Sequence, residues 1–217
     1  MKWGVYAALA LRWERLGDRR WDRRHNVLTS PITPVADLAV VGNNAEHGVE
    51  HEPSPVSQVK RLLSALPVPA SDTFIDFGSG LGRVVLLAAE RYEAVIGVEF
   101  ARNLVAACGD NVRSYRGELK CEPEIHLQDA ISFEVPDDRN LLVWFYAPFR
   151  PPIMQPVLEK LTQSYRRDPR RISVMYRNPF HRDLFDALEG LSERPLEPRR
   201  GLFRDRVPYV FYVANGH

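Results

Sequence analysis

Apolar residues fall along this chain in short runs that alternate with segments of helical spacing. Runs at 73–77, 94–99, 125–127, 141–149 with its exit, 172–176 and 209–213 are rich in Val, Ile, Phe, Tyr and Trp, and predict strands. Between them, Val56, Val59, Leu62, Leu63 and Leu66 recur at three- and four-residue steps. So do Leu104, Val105, Ala107, Cys108 and Val112, and again Ile153, Met154, Val157, Leu158 and Leu161. Each set lays one apolar stripe on a helix. Strands alternating with such helices predict an α/β domain built on a mostly parallel sheet. Ser54 and Pro55 stand where a cap and a first turn would open the helix that begins near Val56.

The run 73–77 leads from Asp76 into Gly78-Ser79-Gly80-Leu81-Gly82, then into the good helix formers of 84–90. Glycine at every second position lets the backbone turn sharply and approach a ligand closely. Two nucleotide loops are excluded by spacing. A dinucleotide loop wants a small residue where Arg83 stands, and no Gly-x-x-x-x-Gly-Lys-Ser/Thr occurs. The next strand ends in Gly97-Val98-Glu99, 23 residues past Asp76, where a carboxylate can accept hydrogen bonds from both ribose hydroxyls.

Asp-x-Gly-x-Gly-x-Gly followed by Gly-Val-Glu resembles motif I and the acidic post-motif of the class I methyltransferases that use S-adenosylmethionine, including Dot1-like enzymes and many small bacterial members. The resemblance implies a Rossmann-like, doubly wound seven-stranded sheet with an antiparallel last strand, its edge formed by paired runs near 191–200 and 209–213. It implies S-adenosyl-L-methionine as cofactor, held by Asp76, Gly78, Ser79, Gly80 and Gly82, with Glu99 on the ribose and Phe100 against the adenine. Asp129 and Ala130, at the third strand's exit, would meet the adenine edge. At the fourth strand's exit the family often carries Asp/Asn-Pro-Pro-Tyr/Phe, whereas this chain has Tyr146-Ala147-Pro148-Phe149. The polar first residue that would hold an amine is missing. Tyr146 and Phe149 are then candidates to face the transferred methyl, and a hydroxyl acceptor would want a base such as His51 or Glu52. Asn178 is a secondary candidate at the fifth strand's exit. The implied activity is methyl transfer to a small molecule or a protein side chain. A Dot1-like lysine enzyme would need a channel of Tyr146, Phe149 and Tyr176, and a non-catalytic cofactor-binding protein is a further alternative.

Residues 1–52 are expected to form a helix and a connector covering the cleft, with the methyltransferase domain over 53–217. Trp3, Val5, Tyr6, Leu9, Leu11, Trp13 and Leu16 precede Arg19, Arg20, Arg23 and Arg24, and the apolar part is too short for a membrane span. It runs into arginines without a small-residue cleavage site, unlike a signal peptide. A packing helix, a dimer contact or an interfacial membrane helix are the other readings. His47-x-x-Glu50-His51 matches an inverted zinc-peptidase signature in letters, but Gly48 and Pro53 deny it the helix that metal ligation needs, and no metal is expected.

A formal charge of +1 over 217 residues gives no broad basic footprint, so nucleic acid is not favoured as partner. Two cysteines, Cys108 and Cys121, are too few for a disulfide framework, in keeping with a cytoplasmic protein. Neither composition nor pattern names the methyl acceptor or the oligomeric state.

Overall fold

The computed structural model describes residues 2–41, 50–186, 188, 190–198 and 207–215, with side chains from Leu11 onward. Seven strands form one sheet in the order β3-β2-β1-β4-β5-β7-β6. They are β1 (Thr73–Phe77), β2 (Ala94–Glu99), β3 (Glu124–Leu127), β4 (Leu141–Tyr146), β5 (Ile172–Arg177), β6 (Ser192–Glu193) and β7 (Tyr209–Ala214). The first five run parallel, and β7 lies antiparallel between β5 and β6. This is the predicted sheet, though β6 is only a two-residue edge.

Both faces of the sheet are covered. Phe74 of β1 with Leu142 and Trp144 of β4 pack against α2 (Val56–Ala65) and α3 (Arg83–Ala89). Ile75 and Phe77, with Leu141, Val143 and Phe145, pack on the other side against α5 (Pro151–Arg167) and Phe185 of α6 (Arg182–Asp186). The change of side at every residue is the strand period, and burial on both faces explains why the parallel strands read as unbroken apolar runs. All seven residues of α3 are buried, so its sequence shows no polar stripe.

At the N-terminus, α1 (Lys2–His25) ends where Asn26 turns left-handed at φ 57°. Asp22 then draws the chain back, accepting hydrogen bonds from Thr29 N (3.0 Å), Thr29 Oγ1 (2.6 Å) and Ser30 N (2.8 Å). The connector continues over α4 (Arg102–Ser114), pinned by Asn111, whose amide donates to Leu28 O and Leu81 O. One local expectation is corrected here. Ser54 does not cap α2; the carboxylate of Asp18, from α1, accepts the hydrogen bond of Val56 N at 2.9 Å. A side chain 38 positions upstream satisfies this buried helix-end amide, which no local pattern could announce.

Candidate functional site

In an open α/β sheet a ligand sits beyond the strands' carboxyl ends, where the strand order reverses. Here that point lies between β1 and β4, and a cleft opens over it with about 960 Å³ of empty space, counting its mouth.

The glycine loop forms one wall. Gly78, Gly80 and Gly82 hold φ of 78°, 53° and 85°, a region that other residues enter only with strain. The loop is tied to β2 through Gly78 N and Ser79 N, which both donate to Val98 O. Gly78 and Ser79 line the cleft. Gly80 and Gly82 do not; their missing side chains make room elsewhere. A Cβ on Gly80 would stand 2.3 Å from the His51 ring, and one on Gly82 would stand 2.4 Å from Cys108 Sγ.

Two carboxylates end the adjacent strands. Asp76 and Glu99 are 4% and 5% exposed, and both line the cleft. Glu99 is held in place by backbone donors: Gly80 N on one oxygen at 3.0 Å, and Phe100 N and Ala101 N on the other at 2.9 Å. Burial raises its pKa, and these three bonds work against the rise. Asp76 is pushed up to about 8, by burial first and by the neighbouring Glu99 second. Such a pair favours a ligand that brings positive charge and hydroxyl donors. Ser79 Oγ, buried beside them, has no hydrogen-bond partner among the described residues.

Phe100, Gln128, Asp129 and Ala130 continue the lining along the β2 and β3 exits. Asp129 also caps the single turn Ala130–Ser132, accepting from Ile131 N at 3.0 Å. On the opposite side stand Tyr146, Pro148 and Phe149, and at the rim Glu50, His51 and Glu52. Ala147 between them has φ 39°, a left-handed alanine at the β4 exit, whose N–H donates to Arg177 O at 3.2 Å. Strained residues of this kind cluster at functional sites. The guanidinium of Arg177 lies 4.6 Å over the Tyr146 ring, and Phe149 meets Phe77 edge-on at 6.4 Å. His51 is bridged to Thr33 through both backbone groups, and its Nε2 has no partner among the described residues. Burial, and then the charge of Arg83, lower its pKa to about 4, so the ring is neutral at physiological pH.

Sequence reasoning missed Arg83, which lines the cleft yet is 3% exposed. Its Nη1 donates to Asp18 Oδ2 (2.8 Å) and Ser54 O (3.0 Å), its Nε to Thr29 Oγ1 (2.8 Å) and its Nη2 to Ser30 Oγ (2.8 Å). One signal was available: an arginine opening an otherwise apolar helix must be paired if that helix is buried. Tyr176 does not reach the cleft. It is fully buried and stacks on Phe185, so the proposed three-aromatic channel is not assembled. Asn178 turns at φ 53° outside the lining. From residues 1–52, the cleft is lined by Leu38, Glu50, His51 and Glu52, while α1 stands behind them against α2. His47 and Gly48 lie outside the described residues, and those described include no cluster of three metal-ligating side chains.

The family model of the histone methylation protein DOT1 matches residues 50–122, from the cleft's rim through the glycine loop, β2 and α4. No curated protein matches the chain. Among solved structures, the Escherichia coli protein yhhF, named as a methyltransferase, is 16% identical with a TM-score of 0.57, over 86% of this chain and 100% of that one. An RNA methyltransferase from Salinibacter ruber, in complex with S-adenosylhomocysteine, is 18% identical with a TM-score of 0.51, over 75% of this chain and 94% of that one. A Haemonchus contortus phosphoethanolamine N-methyltransferase is 17% identical with a TM-score of 0.43, over 56% of this chain, which spans only 25% of that protein. The shared sheet and the match over the glycine loop show that this chain has the fold of the class I S-adenosylmethionine-dependent methyltransferases.

Proposed function

We propose that the protein is an S-adenosylmethionine-dependent methyltransferase acting on a small molecule or a protein side chain. The observation that carries this is the buried pair Asp76 and Glu99, set on adjacent strand ends around a left-handed glycine loop and facing one cleft. S-adenosyl-L-methionine supplies an already activated methyl group on a sulfonium, together with an ammonium and a ribose diol, the donors and positive charge that such a pair lacks.

Glu99, immobilised by three backbone amides, would accept from the ribose hydroxyls without reorganising. Asp76 would meet the positive charge of the amino-acid portion, with Ser79 Oγ as a further polar contact. Phe100, Asp129 and Ala130 would hold the base, Gly78 giving the close backbone approach. Gly80 and Gly82 would act by shaping the loop that carries these groups. Tyr146 and Phe149 present aromatic faces on the opposite wall, suited to a sulfonium and to orienting the acceptor. His51, neutral at the rim, could take a proton from a hydroxyl or amine as it is methylated. The same cleft without turnover would make the protein a cofactor-binding partner, and the DOT1 match leaves a protein lysine acceptor open.

The test is calorimetric titration with S-adenosylmethionine, S-adenosylhomocysteine and NAD, followed by labelled-methyl transfer onto cell extract. Micromolar binding of both sulfur nucleotides with silence from NAD is expected. Absence of binding by either would withdraw the assignment, and binding without transfer to any fraction would favour the non-catalytic reading.

A further inference from the structure

Among the described residues, seven large apolar side chains are exposed, and six of them lie between residues 11 and 35: Leu11, Trp13, Leu16, Leu28, Ile32 and Val35. Trp13 is 63% and Leu16 52% exposed. Leu11, Trp13 and Leu16 sit on α1 among six arginines, Arg12, Arg15, Arg19, Arg20, Arg23 and Arg24, all exposed. The acids of the helix do not offset them. Asp18 and Asp22 turn inward to Arg83, and Glu14 accepts from Gln58 of α2 at 2.8 Å. Arg12, Leu16, Arg19, Arg20 and Arg23 follow one another at helical steps on the side away from Trp21 and Asp22, which are buried.

We infer that this face of α1 docks on an anionic lipid bilayer, lying in the interface plane. Charge complementarity selects the partner: arginine stems are long enough to put the guanidinium among phosphates while Trp13 and Leu16 enter between headgroups. No described helix is long and apolar enough to cross a membrane, so the contact is interfacial. A nucleic acid would use the arginines but gains nothing from Leu16 exposed among them. One residue of the docked face, Arg19, also borders a groove that shares residues with the cleft. Leu11, Arg15, Arg19 and Ile32 share a groove with Glu52 and Pro53, and those two residues line the cleft as well.

Flotation of the full chain with phosphatidylcholine vesicles, with and without a third of phosphatidylglycerol, at low and high salt, tests the inference. The chain should float only with the anionic vesicles, and less at high salt. Arg19→Gln/Arg20→Gln/Arg23→Gln should lose on the order of a hundredfold in partitioning, and Trp13→Ser/Leu16→Ser about tenfold, each with an unchanged melting temperature. Failure of the unaltered chain to float overturns the proposal, whatever the variants do. So does flotation that both folded variants retain. Retention on duplex DNA without flotation would assign the arginines to a nucleic acid instead.

Discussion

Asp76 makes cofactor affinity depend on pH in the same direction as an ordinary carboxylate salt bridge lost in acid below about pH 4, but in a window several units higher. With its pKa near 8 in the free protein, the carboxyl is mostly protonated at neutral pH. Holding a cation requires its ionised form, so binding must expel a proton. Roughly one Asp76 in a hundred is ionised at pH 6 and one in eleven at pH 7, so affinity for S-adenosylmethionine should rise about ninefold over that unit, close to 1.3 kcal/mol. The interval lies below the range near about 7.7 in which a free α-amino group titrates, and His51, at about 4, is silent in it. Titration calorimetry in buffers of different ionisation enthalpy reads the released proton directly, close to one per cofactor at pH 6.5. Asp76→Asn should bind more weakly, release none and show a flat profile. Equal slopes in the parent and Asp76→Asn, or no slope in the parent, would refute the reasoning. The linkage has a second face. Because the folded pKa is raised, the contribution of Asp76 to the stability of the free protein is fully present below about pH 4 and is lost as pH rises through about 8. Its share of the melting temperature should fall across that window and vanish in the Asn variant.

Asp76→Ala and Glu99→Ala should each weaken cofactor binding by about 1–3 kcal/mol, through lost charge-assisted hydrogen bonds, as read by calorimetry. Asp18→Ala, which strands the buried Arg83 and uncaps α2, should destabilise by about 3–5 kcal/mol, and a melting temperature within a degree or two of the parent would contradict the pairing. Gly80→Ala, strained at φ 53° and crowding the His51 ring, should lower cofactor affinity and stability together, whereas a change in neither would mean that the loop yields freely. If His51 serves as base, turnover should climb with pH through about 4 and level off, and His51→Ala should abolish that limb of the profile.

The strands, the glycine loop and the two acids were legible because they are local. Five consecutive buried residues at β1, an acid within them and glycines at positive φ each leave a mark within a few positions. Tyr146 and Phe149 followed from a rule about strand ends. What escaped was long-range. The partners of Arg83 lie 29 to 65 positions away, and Asp18 reaches α2 across 38. Burial of Tyr176 also escaped, since the alternation along β5 does not say which covering element, here Phe185, will claim an aromatic ring.

Arg83 also bears on where this protein could be cut. It opens the helix that follows the glycine loop, while the carboxylates and hydroxyls that neutralise it arrive from residues 18–30. A boundary drawn at residue 52 would separate a buried cation from its counter-ions, so the N-terminal segment is not a detachable module. The same pairing joins α1 directly to the residue that follows the loop. A substitution in α1 at Asp18 or Asp22 therefore acts on the first residue of the helix that follows the loop, with nothing in between.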